Sequence, residues 1–297
     1  MSTIPLRPLG FGEIVDGALQ LYRRHFGQYY LIALLAAVPG YIIMLVTGAN
    51  ASLLAGDPEA DPAATAAAGI ALLLAAFFAW VGTVAVAAAM AERIEGREVS
   101  VGRSYRDALR HLPRVAGATV LAFLLFGSVA GAVAVGAMVF AIPMVLSGSV
   151  ALMLIGGFSF ILMVVGITLL WLGATFAILP AVIIEGKGVI AALQRSLSLC
   201  KGGWLRVIGI MVVASIINFA PTMAITTLFG MQDLFTSPEA LGTVDPERQW
   251  LTNTANLLIA PLTAPFMVGS ILMLFHDRRV RSEAYDLETL AGTMDAP

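Results

Sequence analysis

The chain has 297 residues, of which 59% are hydrophobic and 12% charged, and its mean hydropathy is +0.90. A soluble domain carries about 25% charged residues, so this composition excludes an ordinary water-soluble fold. The single cysteine, Cys200, excludes an internal disulfide framework and a Cys-based zinc site, and a net charge of −2 excludes a bulk electrostatic nucleic-acid binder.

Residues 1–28 are polar and charged, and no apolar run precedes Tyr29. A cleavable signal peptide is therefore not expected, and the first span should act as an uncleaved anchor. Beyond it, charge-free runs mark the membrane crossings. A span needs about 20 apolar residues, and one ion at its centre costs about 2.5–3.5 kcal/mol. The expected spans are 29–47, 70–91, 115–142, 150–177, 207–229 and 254–275.

The charge-free run 115–184 holds two of these, separated where Pro143, Ser147, Gly148 and Ser149 interrupt the apolar sequence. A re-entrant hairpin within that run is the alternative reading. Pro180 is expected to end or kink the fourth span. Gly127, Gly131 and Gly136 give the third span a small-residue face that seats either the fourth span or another chain. Asn218 lies just before Pro221, and Asn256 before Pro261 and Pro265. Proline-broken helices there either line a solute site or pack against neighbours that satisfy the freed carbonyls.

Basic residues set the orientation. With the amino terminus inside, sixteen of the seventeen Lys and Arg residues fall on inner segments, Arg248 excepted. The outer segments carry Asp57, Glu59, Asp61, Asp233, Glu239, Asp245 and Glu247. Both termini, including the tail 276–297, are thus expected in the cytoplasm. Arg outnumbers Lys fifteen to two among abundant Ala and Gly, a composition that points to a bacterial source and its inner membrane.

Three inner segments carry apolar residues at helical spacing. They are Phe11, Val15, Leu19, Tyr22 and Phe26; Val101, Tyr105, Ala108 and Leu112; and Leu193, Leu197, Cys200 and Trp204. Shifts of 86 and then 92 residues superpose the three stripes, aligning Leu19 with Tyr105 and Leu197. The pattern predicts a threefold repeat of an interfacial amphipathic helix followed by a two-helix hairpin, with apolar residues toward acyl chains and Arg toward headgroups.

The segments RPLGFGEIVDGALQLYRRHFGQYY (7–30), LPAVIIEGKGVIAALQRSLSLCKGGWLRVIG (179–209) and FHDRRVRSEAYDLE (275–288) resemble the glycerophosphoryl diester phosphodiesterase membrane-domain family of multi-pass proteins. The resemblance spans nearly the whole chain. It implies interfacial helices and spans, and it transfers no catalytic residue. In the enzymes that name the family a separate barrel performs hydrolysis. With about 20 residues after the last expected span, no such barrel is expected here.

No other pattern carries chemistry. His25, His111 and His276 lie in different repeats without metal-ligand spacing. Lys187 sits in EGKG, which lacks the full phosphate-loop pattern, and no serine nucleophile elbow occurs. Cys200 reads as a buried small hydrophobe. No ionisable Asp, Glu, Lys or Arg lies within the expected spans, which argues against an ion-coupled carrier.

The expectation is an all-α, six-span membrane protein forming one integral domain over 1–297, without catalytic residues, cofactor or metal. Its expected role is a scaffold or accessory subunit that contacts membrane lipids and another membrane protein, and no nucleic acid. The alternative is a facilitator or exporter of a small neutral or amphipathic solute. Candidate lipid or partner contacts are Arg106, Arg110, Arg114, Arg195, Arg206, Arg278, Arg279 and Arg281. Glu185 is the candidate structural group, capping backbone donors or pairing with Arg at the inner boundary.

Overall fold

A computed structural model describes residues 7–47, 62–146, 148–230 and 246–294. The expected outer acids Asp57, Glu59, Asp61, Asp233, Glu239 and Asp245 lie outside the described residues. Within them the chain forms α1 (Phe11–Arg24), α2 (Phe26–Thr47), α3 (Pro62–Ile94), α4 (Val101–Leu146), α5 (Val150–Thr175), α6 (Ile178–Ile183), α7 (Val189–Cys200), α8 (Trp204–Gly230) and α9 (Pro246–Met294). Six stretches are long and apolar enough to cross a membrane: Phe26–Thr47, Thr65–Ile94, Val101–Gly136, Val150–Ile183, Trp204–Leu228 and Trp250–Ser282. Each contains or closely overlaps an expected span.

The helices divide into two compact units, Met1–Leu112 with Val213–Met273, and Pro113–Val212 with Leu274–Pro297. In the first, α2 and α3 approach closely because small residues face each other. A Cβ on Gly40 would lie 3.0 Å from the Ala75 backbone, and one on Gly82 would lie 2.6 Å from Ala36. Such contacts suit a medium in which hydrophobicity gives helices no reason to associate. Tyrosines tie α1 and α2 to α9: Tyr22 donates to the Leu262 carbonyl at 2.6 Å and Tyr30 to that of Leu258 at 3.3 Å. Tyr41 and Thr254 share a hydroxyl bond of 2.7 Å.

In the second unit, the Trp171 ring of α5 meets Phe123 and Phe126 of α4 edge-on, at centroid distances of 5.9 and 5.6 Å. Above that contact α5 is exposed on every side; Leu154, Phe158 and Ile161 are all open. The stretch Val150–Ile183 has a mean hydropathy of 2.6, which suits such a surface to hydrocarbon.

Burial follows the predicted repeat. Ala18, Ser104 and Ser196 are fully buried, as are Ile32, Ala118 and Ile210, and all obey the same shifts. Ala36, Ala122 and Ala214 continue the register.

Three expectations need correction, while Pro180 breaks the fourth span as expected. The second surface helix and the third span are one rod, α4, whose 46 residues reach about 69 Å at 1.5 Å per residue. The third repeat instead breaks its chain at Gly202, at φ +72, and α4 has no glycine at the matching place. The fourth span breaks at Phe176–Ala177, ahead of Pro180, because the proline ring clashes with the carbonyl four residues earlier. Leu193 and Cys200 of α7 are buried in protein and do not face acyl chains. In α1, by contrast, Phe11 and Leu19 remain exposed beside the buried Ile14 and Ala18, as does Phe26 at the start of α2. Finally, α8 runs through Pro221 and α9 through Pro261 and Pro265 without a break.

Candidate functional site

The densest polar constellation lies in the second unit, around α6, α7 and the inner part of α9. The α5–α6 break leaves backbone groups that cannot bond within a helix. Ser196 on α7 closes it: its hydroxyl accepts from the Ala177 N–H at 3.1 Å and donates to the Ala174 carbonyl at 2.7 Å. The Cys200 thiol donates to the Gly173 carbonyl at 2.7 Å. Burial pushes that thiol up to about 12, so it is inert as a nucleophile.

After α6 the chain turns at Gly186, at φ +62, and the Lys187 N–H returns to the Ala181 carbonyl at 3.1 Å. EGKG is therefore a helix-to-helix turn. It places Glu185, 11% exposed at its side chain, against Arg195 of α7. The Arg195 Nε lies 3.1 and 3.0 Å from the two carboxylate oxygens and Nη2 lies 2.7 Å from Oε1. Arg279 approaches the same oxygen at 3.4 Å. Of its two expected roles, Glu185 takes that of ion-pair partner.

The Asp277 side chain is fully enclosed. It accepts from Arg206 Nε at 3.2 Å and from Arg281 Nε at 3.0 and 3.1 Å. Arg278, 6% exposed, donates through Nε to the Leu199 carbonyl at 2.7 Å and through Nη2 to the Lys201 carbonyl at 2.8 Å. It caps the C-terminus of α7, where unpaired carbonyls carry partial negative charge. Lipid or partner contact was expected of Arg278, whose side chain is buried on these backbone carbonyls. Arg195, Arg206, Arg279 and Arg281 keep partly exposed guanidinium groups beside their carboxylates.

Arg106, Arg110 and Arg114 occupy successive turns along one side of α4 and are all exposed. Arg110 reaches Asp107 at 3.4 Å; the Arg106 and Arg114 side chains have no hydrogen-bond or ion-pair partner among the described residues.

The first unit has its own polar cluster. Arg93 Nε donates to His25 Nε2 at 2.7 Å, which requires a neutral imidazole protonated on Nδ1. Burial, then Arg93 and Arg24, lower the His25 pKa accordingly. Next to Arg93 in sequence, Glu92 is 3% exposed, and neither of its carboxylate oxygens has a hydrogen-bond partner. Within the spans of this unit, the side-chain oxygens of Asn218 and Asn256 are also buried and unpartnered. A cavity of about 120 Å³ lies among Ala33, Ala37, Gly82, Thr83, Pro261 and Ala264. Among the described residues no three His, Cys, Asp or Glu side chains converge as a metal site.

The sequence reading missed Glu92, Asp277 and Ser196 as structural centres. The signal was available in the repeat: Glu92, Glu185 and Asp277 stand 93 and 92 residues apart, close to the shift that aligns the second and third stripes.

An all-helical chain with six apolar crossings and charges gathered at helix ends defines a multi-pass membrane protein. Residues 32–277 match the family described as a domain of unknown function, DUF7847, and the chain belongs to that family. No curated protein and no solved structure matches it.

Proposed function

We propose that the chain is a non-catalytic integral protein of the bacterial cytoplasmic membrane, with both termini inside, that serves as a scaffold or accessory subunit holding lipid and a partner protein. One observation carries the reading. Arg106 and Arg114 are exposed and, among the described residues, unpaired, with the loosely held Arg110 between them, while Arg195, Arg206, Arg278, Arg279 and Arg281 are engaged by Glu185, Asp277 and helix-end carbonyls. A row of free guanidinium groups beside the exposed Leu109 suits lipid phosphates, at about 1 kcal/mol for each well-placed basic residue. The exposed Phe11 and Leu19 of α1, with Phe26 at the start of α2, support interfacial contact in the same way. The resemblance to the glycerophosphoryl diester phosphodiesterase membrane domain fits this role, and the matched family adds nothing for or against it.

The test is co-purification of anionic lipid in mild detergent by wild type and by R106Q/R110Q/R114Q. The triple variant should retain less lipid per protein; equal retention overturns the reading.

A second reading, a facilitator or exporter of a small neutral or amphipathic solute, is favoured by the unpartnered oxygens of Asn218 and Asn256 within the spans. Saturable uptake into proteoliposomes by the purified protein, lost in N218L/N256L and unchanged in R106Q/R110Q/R114Q, would establish it over the scaffold.

A further inference from the structure

The second helical arm of each hairpin ends, on the inner side, in a carboxylate: Glu92 in the last turn of α3, Glu185 just past α6, and Asp277 on α9. Two of the three are held by arginines. Glu185 takes Arg195 and Arg279, and Asp277 takes Arg206 and Arg281. Glu92 is the exception. It is the most enclosed position of its turn, and both its oxygens are cut off from solvent without a partner.

The missing arginine is nevertheless encoded. The 92-residue shift that carries Ser104 onto Ser196 carries Arg103 onto Arg195, the clasp of Glu185. In the first hairpin that guanidinium points elsewhere: Arg103 is exposed, with Nη1 3.4 Å from the Glu98 carbonyl. An ionised carboxylate enclosed without a counter-charge is among the most costly arrangements a protein can hold. A neutral carboxyl in the same place is far less so.

We propose that Glu92 is a proton-binding site, neutral in the arrangement seen here, whose ionised form draws Arg103 into the clasp that Arg195 gives Glu185. On ionisation the Glu92 O–H bond breaks, the proton passes to bulk water, and the two carboxylate oxygens accept the guanidinium N–H groups of Arg103. The charged groups acting on Glu92 are Asp107 and Arg103 on α4 and Arg97 in the connection between α3 and α4. Asp107 opposes the ionised form, lies near enough to hydrogen-bond with the neutral one, and is itself held by Arg110. Arg97 is taken by Glu95. Arg103, with a single long bond to a carbonyl, is the cation among them that can move at least cost. The enclosed oxygens leave no opening for a hydrated metal ion, whereas a proton needs none. The connection that would adjust is short and contains Gly96 at φ +80, so the proton would set the junction between the first hairpin and the long rod α4.

The experiment uses the full chain in lipid nanodiscs. Infrared difference spectra are taken between about pH 5 and about pH 8, the range open to a buried carboxyl, for wild type and E92Q. Wild type should show a protonated-carboxyl band that is lost on raising the pH and is absent from E92Q. E92D, which keeps the acid and shifts the band, gives the same assignment should E92Q not assemble. A double-mutant cycle of E92Q and R103Q on thermal unfolding should show coupling at the higher pH and additivity at the lower. A wild-type spectrum identical to that of E92Q, or a Glu92 band that persists unchanged at the higher pH, overturns the proton site. Additivity at both pH values overturns the Arg103 clasp.

Discussion

The guanidinium of Arg278 reaches back 79 residues to the carbonyl of Leu199, at 2.7 Å. A second donor of the same group meets the Lys201 carbonyl, so one buried arginine closes the open end of α7. The approach works because residue 203 is glycine: a Cβ there would collide with the Arg278 guanidinium. The run Asp277–Arg278–Arg279 is thus a fastener within the second unit, with successive side chains serving different partners. A truncation from Arg278 onward, which seems harmless when the tail is taken for a loose surface segment, removes the α7 cap and two of the arginines on Glu185 and Asp277.

R278Q and G203A should therefore have similar effects. Each leaves helix-end carbonyls buried without a donor, at a cost of about 1–3 kcal/mol. Thermal unfolding in detergent should show both variants well below wild type, with a cut after Ser282 close to wild type. A stable G203A would mean that the Arg278 bonds contribute little.

Ser196 gives a sharper case because its hydroxyl serves both sides of one break. S196A should lose about 1–3 kcal/mol, the cost of leaving the Ala177 N–H and the Ala174 carbonyl unsatisfied. C200S keeps a donor for Gly173 and should be milder. The buried Cys200 thiol, pushed up to about 12, should resist maleimide in the native protein and react after denaturation. Rapid native labelling would place it at a surface.

The Glu185–Arg195 contact uses both carboxylate oxygens and two guanidinium nitrogens. A planar fork makes that geometry and an ammonium does not. R195K should therefore behave more like R195Q than like wild type, with losses of about 2–3 kcal/mol for either. Unfolding midpoints of R195K equal to wild type would show the contact to be simple charge pairing.

Much of this fold is legible in the sequence because a bilayer tolerates little ambiguity. Five charge-free runs, one of them long enough for two helices, gave six crossings, and the break ahead of Ser149 stands where Pro143 and Gly148 suggested it. Glu185 could be singled out because it follows a long apolar run and precedes a glycine turn. What stayed hidden depends on pairing in space. Composition treats Arg106 and Arg278 alike, yet one is exposed and unpaired while the other is buried on backbone carbonyls. Periodicity likewise finds the stripe on α7 without revealing whether lipid or protein covers it. The continuity of α4 was missed because the amphipathic stripe ends at Leu112 and the charge-free run starts only after Arg114, although the residues between lack the glycine that follows α7 in the third repeat.

His25 carries a pH dependence whose sign is fixed. Its pKa in the folded state is lowered, first by burial and then by Arg93 and Arg24. Between that value and the unfolded value of about 6.5, the unfolded chain binds the extra proton. The stabilisation is complete above about 6.5 and is lost as the pH falls through that window to the folded value. H25Q should flatten this part of the stability–pH curve in detergent. A steeper curve for the variant would show that the Arg93–His25 bond is not what sets it.

Topology rests on the distribution of Lys and Arg, sixteen of seventeen on one side. Lysine and arginine resist translocation when they lie close to a span in a short connection, and the acidic segments around Asp57 and Asp233 offer no competing signal. Single cysteines at Ala60 and Ser237, in a C200S background, should therefore react with an impermeant thiol reagent on intact cells. A cysteine at Ser282, just past the last apolar stretch, should react only after the membrane is opened. Reversal at all three positions would invert the protein in the membrane, placing Arg106, Arg110 and Arg114 outside and removing the anionic inner leaflet from their reach. Reversal at Ser237 alone would break the six-span count, because an odd number of crossings would then separate it from Ala60.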